Sequence, residues 1–299
     1  MVDHLAEELR RLVRGDILPD CPLDQRTTYR IGGPAKLLLR PQDIDDLQQL
    51  DKVIKERAIP KFVLGGGANI LVSDEGFSGV AIDLAHFDKL TFEGSLVRAG
   101  AGLMLDELVV SCLKRGLAGL ERLSGIPGTL GGALRMNAGA FDAEVSDHLV
   151  QVEILEHGGP FMILKKAQVG FDYRDAPGIK DRYILGASFD FPGGDTEELL
   201  IVRQEILARR REKQPWQYPS AGSVFKRPPD RYAGKLIEDA GLRGKILGRA
   251  QISHKHAGII INLGGAKASE VLGLIRLAQS EVLQKFDVEL ELEQELIGF

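Results

Sequence analysis

Residues 124–140 read SGIPGTLGGALRMNAGA, and no other stretch restricts the fold of this chain as much. Gly125, Gly128, Gly131, Gly132 and Gly139 crowd into it with few long side chains between them. Such a run either turns tightly, glycine being the default turn residue, or leaves main-chain N–H groups open to a ligand lying against the backbone. Residues 64–69, LGGGAN, form a second such stretch between apolar, β-branched runs. Two glycine loops about sixty residues apart favour one long phosphate-bearing ligand held at both over two unrelated turns.

A chain of 299 residues is long for one core and suggests two or three lobes. Its net charge of −5 argues against a nucleic-acid partner, which would demand clustered Lys and Arg. The one dense basic run, Arg209-Arg210-Arg211-Glu212-Lys213, ends a helical pattern, where it complements the helix dipole or faces water. Cys21 and Cys112 stand far apart and in no CxxC spacing, so neither a disulfide framework nor a zinc site is expected, and a reducing cytoplasm fits. The start, MVDHLAEELRRLV, carries acids among its apolar positions and reads as an amphipathic helix, not a signal peptide. No window nears eighteen uninterrupted apolar residues, so no membrane span is expected.

Apolar periodicity predicts helices over 4–13, 41–54, 103–115, 196–213, 232–240 and 267–286. Strands are predicted at 27–31, 36–40, 62–64, 70–72, 80–84, 183–191, 246–252, 258–262 and 288–297. Hairpins are predicted at 90–99 and 150–164, each around a glycine turn. Composition shifts divide the chain into lobes at 1–85, 86–195 and 196–299, with residues 192–195 as the sharpest boundary. The expected class is α+β.

Familiar catalytic motifs are mostly missing. Neither GxGxxG between strand and helix nor GxxxxGK[ST] occurs, residues 221–225 are no GxSxG elbow, and His254-Lys255-His256 lacks a third metal ligand. Ser223 lies in a glycine-bearing turn near Lys226, where a hydroxyl can donate a proton or simply brace the turn. Arg174, between Asp172 and Asp175, can fork onto a carboxylate or pair with those neighbours. Glu289, Glu291, Glu293 and Glu295 alternate with Leu290, Leu292, Gln294 and Leu296, which on a strand is a wet face unless one acid is shielded into a proton donor.

Seven segments in order carry a resemblance: TTYRIGGPA at 27–35, LGGGANILVSDEGF at 64–77, SGIPGTLGGALRMNAGAF at 124–141, YRD at 173–175, PSAGSVFKRP at 219–228, AGKLIEDAGLRG at 233–244 and KHAGIIIN at 255–262. Together the chain resembles, nearly end to end, the UDP-N-acetylenolpyruvoylglucosamine reductases of bacterial cell-wall synthesis, in their shorter, type II subgroup. The resemblance implies an FAD-binding fold of the vanillyl-alcohol-oxidase (PCMH) type in two lobes, with a C-terminal α+β substrate domain closing over the substrate. It implies FAD as cofactor, NADPH as hydride-donating co-substrate, UDP-N-acetylglucosamine enolpyruvate as substrate, no metal, no membrane, and a cytoplasmic monomer serving cell shape and division.

By the same resemblance, Leu64, Gly65, Gly66, Gly67, Ala68 and Asn69 hold the cofactor together with Ser124, Gly125, Ile126, Pro127, Gly128 and Thr129. Gly131 and Gly132, then Asn137, Ala138 and Gly139, complete that set. Arg174 matches the arginine that meets the substrate carboxylate, Ser223 the serine that protonates the enolate carbon, and Glu293 the C-terminal glutamate that assists. Tyr218, Lys226 and Arg227 are the expected contacts to the sugar nucleotide. Where the family reads E-P-E-V-R, this chain has Glu291-Leu292-Glu293-Gln294-Glu295, which leaves the register open between Glu291 and Glu293. Competing readings are a flavin oxidase tethered through His86 or His148, and a non-catalytic sugar-nucleotide binder.

Overall fold

In the computed structural model, which describes residues 2–299 and side chains from His4 onward, the chain forms two compact units. The first takes residues up to Pro19, then Leu37–Gly66 and Gly79–Arg210; the second takes Asp20–Lys36, Gly67–Ser78 and Arg211–Phe299.

Two hydrophobic cores build the first unit. In one, helices Val2–Leu12 and Ile44–Glu56 bring Leu9, Leu47, Leu50 and Ile54 onto Leu37, Leu39, Val80 and Ile82. Those last four belong to a sheet ordered Asp16–Pro22, Pro34–Arg40, Phe77–Asp83, Lys61–Leu64, most of whose residues lie in this unit. Asp43 caps the second helix by accepting the Asp46 N–H, so the helix begins at Ile44 and not at Pro41 as the pattern suggested. In the other core, helix Leu105–Leu113 packs Leu105, Leu108, Val109 and Cys112 against Val97, Val152, Ala187 and Phe189. These come from a five-stranded antiparallel sheet ordered Phe161–Lys165, Leu149–Leu155, Tyr183–Asp190, Leu96–Gly100, Leu90–Glu93, which contains both expected hairpins.

The second unit has one core. Helix Ala268–Phe286 lays Val271, Leu274, Ile275, Ala278 and Val282 inward, with Ala250, Ile252 and Ile260 of a three-stranded antiparallel sheet in the same cluster. A parallel pair, Glu295–Ile297 with Ile70–Val72, joins the last residues of the chain to its early part. Among the described residues no helix is long and apolar enough to cross a membrane, and Cys21 and Cys112 are both free and buried.

Several expected elements change. Residues 27–33 are not a strand: Thr27 Oγ donates to Ile31 O at 2.9 Å, Arg30 N bonds Thr27 O, and Arg30 has φ 55°, so side-chain bonding turns the chain locally. Asp16–Pro22 is a strand that its two prolines concealed. The predicted strand 246–252 is a hairpin, Ile246–Leu247 with Ala250–Ile252, reversed at Gly248 with φ 56°. The strand foreseen at 288–297 shrinks to Glu295–Ile297, so the four glutamates share no continuous ladder.

Candidate functional site

The two glycine loops meet. A Cβ on Gly66 would lie 2.5 Å from Gly128 Cα and 3.2 Å from Thr129 N, and one on Gly65 would lie 2.8 Å from Thr129 Oγ. Main chain packs on main chain here, at a distance that admits no side chain. Not all of the second loop is bare, however. Residues 130–135 coil into a short helix capped by Thr129, whose hydroxyl accepts the Gly132 N–H at 3.4 Å. Gly125 N–H goes to Asp106 Oδ1 at 2.8 Å, and Leu130 and Gly131 N–H bond the carbonyls of Leu103 and Ala101. Ser124 is fully buried with its hydroxyl on Glu121 O, and Ile126 N bonds Leu123 O.

Beyond that helix the chain makes a small hairpin, Gly139–Ala140 with Ala143–Glu144. Asn137 leads into it, buried, with Nδ2 donating to Glu144 Oε2 at 2.7 Å and to Asp172 O at 3.1 Å, while its Oδ1 has no partner among the described residues. Arg174 Nη2 donates to Gly139 O at 2.9 Å and Nη1 to Asn137 O at 3.5 Å. The structure thus brings Arg174, expected at the substrate carboxylate, onto the backbone of Asn137 and Gly139, expected at the cofactor. Asn137, Phe141, Asp142 and Arg174 all take left-handed φ, at 40°, 53°, 61° and 54°. Strained non-glycine backbone of this kind gathers where geometry is held for function.

One residue of this neighbourhood escaped the sequence reading. Arg209 and Arg211 face water as expected, but Arg210 does not: it is 6% exposed, 5.5 Å from the Phe141 ring, and its Nε and Nη2 have no hydrogen-bond partner among the described residues. Burial pushes the guanidinium pKa down, opposed by the field of Asp106. The missed signal was spacing, because Leu199, Ile206 and Arg210 are the buried positions of helix Thr196–Lys213 and fall on one helical face.

In the second unit, Ser223 sits exposed after Gly222, whose φ is 69°. Its neighbours are pinned to the C-terminal segment. Glu293 N bonds Val224 O at 2.9 Å, and Gln294 Nε2 donates to Ala221 O at 2.9 Å while Gln294 Oε1 accepts from the buried Tyr29 hydroxyl. Asn69 reaches the same segment, with Nδ2 donating to Glu293 O at 2.9 Å and its carbonyl accepting from Glu295 N. Gly67 O takes the Thr28 N–H, and the left-handed Gly67 lies so close to Arg26 O that a Cβ would meet it at 2.1 Å. Lys226 Nζ pairs with Glu291 Oε1 at 2.5 Å, which commits the exposed Glu291, whereas Glu293 is half-buried. Tyr218 is exposed, and Arg227 lies 4.5 Å from the Tyr232 ring centroid.

These features fit a flavin nucleotide. The first unit offers glycine backbone with no room for a Cβ, together with orphaned buried donors on Arg210 and an orphaned acceptor on Asn137. Among the described residues no group of His, Cys, Asp or Glu could hold a metal ion.

Comparison with known proteins gives the same grouping. Residues 35–164 match an FAD binding domain family, and residues 214–297 match the family described as UDP-N-acetylenolpyruvoylglucosamine reductase, C-terminal domain. The chain is 42% identical over 300 residues to the UDP-N-acetylenolpyruvoylglucosamine reductase of Caldanaerobacter subterraneus subsp. tengcongensis, covering 100% of this chain and 99% of the relative. It is 44% identical over 286 residues to that of Caldicellulosiruptor bescii, covering 95% and 91%. The crystal structure of UDP-N-acetylenolpyruvylglucosamine reductase from Thermus caldophilus superposes with a TM-score of 0.81 at 35% identity, over 95% of this chain and 99% of that one. The expected α+β fold with an FAD-binding domain is therefore met, and the chain belongs to the UDP-N-acetylenolpyruvoylglucosamine reductase family of oxidoreductases.

Proposed function

We propose that this chain reduces UDP-N-acetylglucosamine enolpyruvate to UDP-N-acetylmuramate with NADPH, as a cytoplasmic monomer. The observation that carries the reading is full-length kinship to reductases of that name in a chain that also matches an FAD binding domain. When bound and reduced by NADPH, the flavin would supply a hydride to the terminal alkene carbon, and negative charge would then collect on the carboxylate-bearing carbon. Everything else falls to side chains and backbone of this protein.

The glycine backbones at 65–69 and 124–132, with Asn137, Ala138 and Gly139, hold the cofactor through main-chain groups other than the N–H groups of Gly125, Ile126, Leu130, Gly131 and Gly132, which bond within the protein, because only residues without bulk let its phosphates approach. Arg174 binds the substrate carboxylate. A fixed guanidinium fork stabilises charge that grows in the transition state more than charge already present in the ground state. Ser223 donates the proton that quenches the carbanionic carbon. A hydroxyl is a weak acid, but transfer to carbon of that basicity is strongly downhill. Glu293 assists as a protonated acid or hydrogen-bond donor to the enolate; the pairing of Glu291 with Lys226 supports Glu293 over Glu291 for this part. Tyr218, Lys226 and Arg227 are proposed to contact the sugar nucleotide.

The test separates the two half-reactions. In Ser223→Ala, NADPH should bleach the flavin at the wild-type rate, while reoxidation by the enolpyruvyl sugar nucleotide slows by about 10²-fold or more. Unchanged turnover would remove Ser223 as the acid. A wild-type chain that stays colourless in excess FAD would end the reading altogether.

A further inference from the structure

Arg210 is a buried cation whose Nε and Nη2 have no hydrogen-bond partner among the described residues. Asp106 acts on it electrostatically, yet both Asp106 oxygens already accept from Arg203, at 2.6 and 2.7 Å, and Oδ1 also takes the Gly125 N–H. The Phe141 ring lies 5.5 Å away. A ring centroid 5.5 Å away, near the outer limit of a cation–π contact, replaces none of the hydrogen bonds that water would give Nε and Nη2. That loss is not offset among the described residues. The Phe141 against which Arg210 lies is itself held in left-handed backbone, between Asn137 with its own orphaned Oδ1 and the left-handed Asp142. Through Asp106, the guanidinium also borders the loop that begins at Ser124 and Gly125.

We infer that Arg210 is the charged side-chain anchor for the flavin cofactor, donating through Nε and Nη2 to an anionic acceptor that the cofactor carries. This rests on the flavin-dependent reading above. Two parts of FAD have that chemistry: the pyrophosphate, and the N1–C2=O edge of the ring, which gains negative charge on reduction. A helix position that periodicity assigns to the core is occupied by arginine because the ligand completes the core there. Arg203, two turns earlier on the same helical face and half-buried, has its own carboxylate and is not part of this anchor.

Arg210→Met and Arg210→Lys in the full-length chain test this, with the protein deflavinated and then titrated with FAD, with ADP and with riboflavin. An arginine that only braces the fold would make Arg210→Met less stable without FAD. An anchor predicts the opposite. Flavin-free Arg210→Met melts no lower than wild type, its FAD affinity falls at least about tenfold, and Arg210→Lys is intermediate. Equal loss of ADP affinity assigns the contact to the pyrophosphate. Unchanged ADP affinity, with a bound-flavin reduction potential lowered by about 30 mV for each tenfold loss specific to the reduced form, assigns it to the ring edge. Arg210→Met that binds FAD, ADP and riboflavin as wild type does, at an unchanged potential, overturns the inference while leaving the reductase reading intact. Wild type that takes up no FAD sinks both.

Discussion

Asp51, on the inner side of helix Ile44–Glu56, shows how one carboxylate can tie several elements of the first unit together. Its side chain is nearly sealed from water, and Lys61 Nζ, the Gly158 N–H and the Tyr183 hydroxyl at 2.7 Å all donate to it, with His157 Nδ1 at 3.5 Å. Burial alone would raise the carboxyl pKa. Hydrogen bonds from His157, Lys61, Tyr183 and Gly158 outweigh it and hold the group well below the usual carboxylate range. Burial and the adjoining carboxylate together push the Tyr183 hydroxyl up. A depressed folded-state pKa stabilises the protein at every pH above the unfolded value, about 3.9, and that contribution fades as pH falls toward the folded value. Asp51→Asn should therefore lose about 3 kcal/mol in urea unfolding at pH 7, with the deficit narrowing by about 1 kcal/mol at pH 3. An equal deficit at both pH values would mean that the carboxylate's charge is not what matters.

At the scale of elements, the approach of the two glycine loops is the feature most open to a single atom. The groups a Gly66 Cβ would strike are backbone, Gly128 Cα and Thr129 N, which cannot swing aside as a side-chain tip can. Gly66→Ala is expected to destabilise the chain by about 1–3 kcal/mol and to weaken FAD binding by at least about tenfold. Gly193→Ala is the matched control, since a Cβ there meets nothing within 4 Å and its backbone is not left-handed; its effect should stay within about 0.5 kcal/mol. Denaturant unfolding and flavin fluorescence titration of the two variants check this, and a Gly66→Ala protein as stable as its control would refute the tight packing. Long helices were legible in the sequence, Thr196–Lys213 and Ala268–Phe286 to within a residue, because their periodic pattern runs over many turns. Short elements were not. Two-residue strands such as Ile246–Leu247, and the turn that begins at Thr27, are set by one glycine or one hydroxyl bond that leaves no periodic trace.

For the whole molecule, a ligand that binds the folded chain and not the unfolded one must raise its stability by mass action. FAD at 100 times its dissociation constant adds about 2.7 kcal/mol, a rise of about 4–5 °C in melting temperature for a chain of this length. Scanning fluorimetry of deflavinated protein with and without FAD reads this directly, and coincident melting curves at saturating FAD would contradict a cofactor held by folded backbone.

By itself, the sequence determined the α+β class, most helices and strands, the two glycine loops and their assignment to a reductase family. These depend on short-range sterics, side-chain period and ordered motifs, all written locally along the chain. Only the tertiary structure decided that Gly66 touches Gly128, that Glu291 pairs with Lys226, and that Arg210 alone of three successive arginines is buried, its Nε and Nη2 without a hydrogen-bond partner among the described residues. Each of those outcomes depends on which faces pack together across tens to hundreds of residues, and burial, not residue type, then decides whether a charge is solvated, paired or left waiting for a ligand.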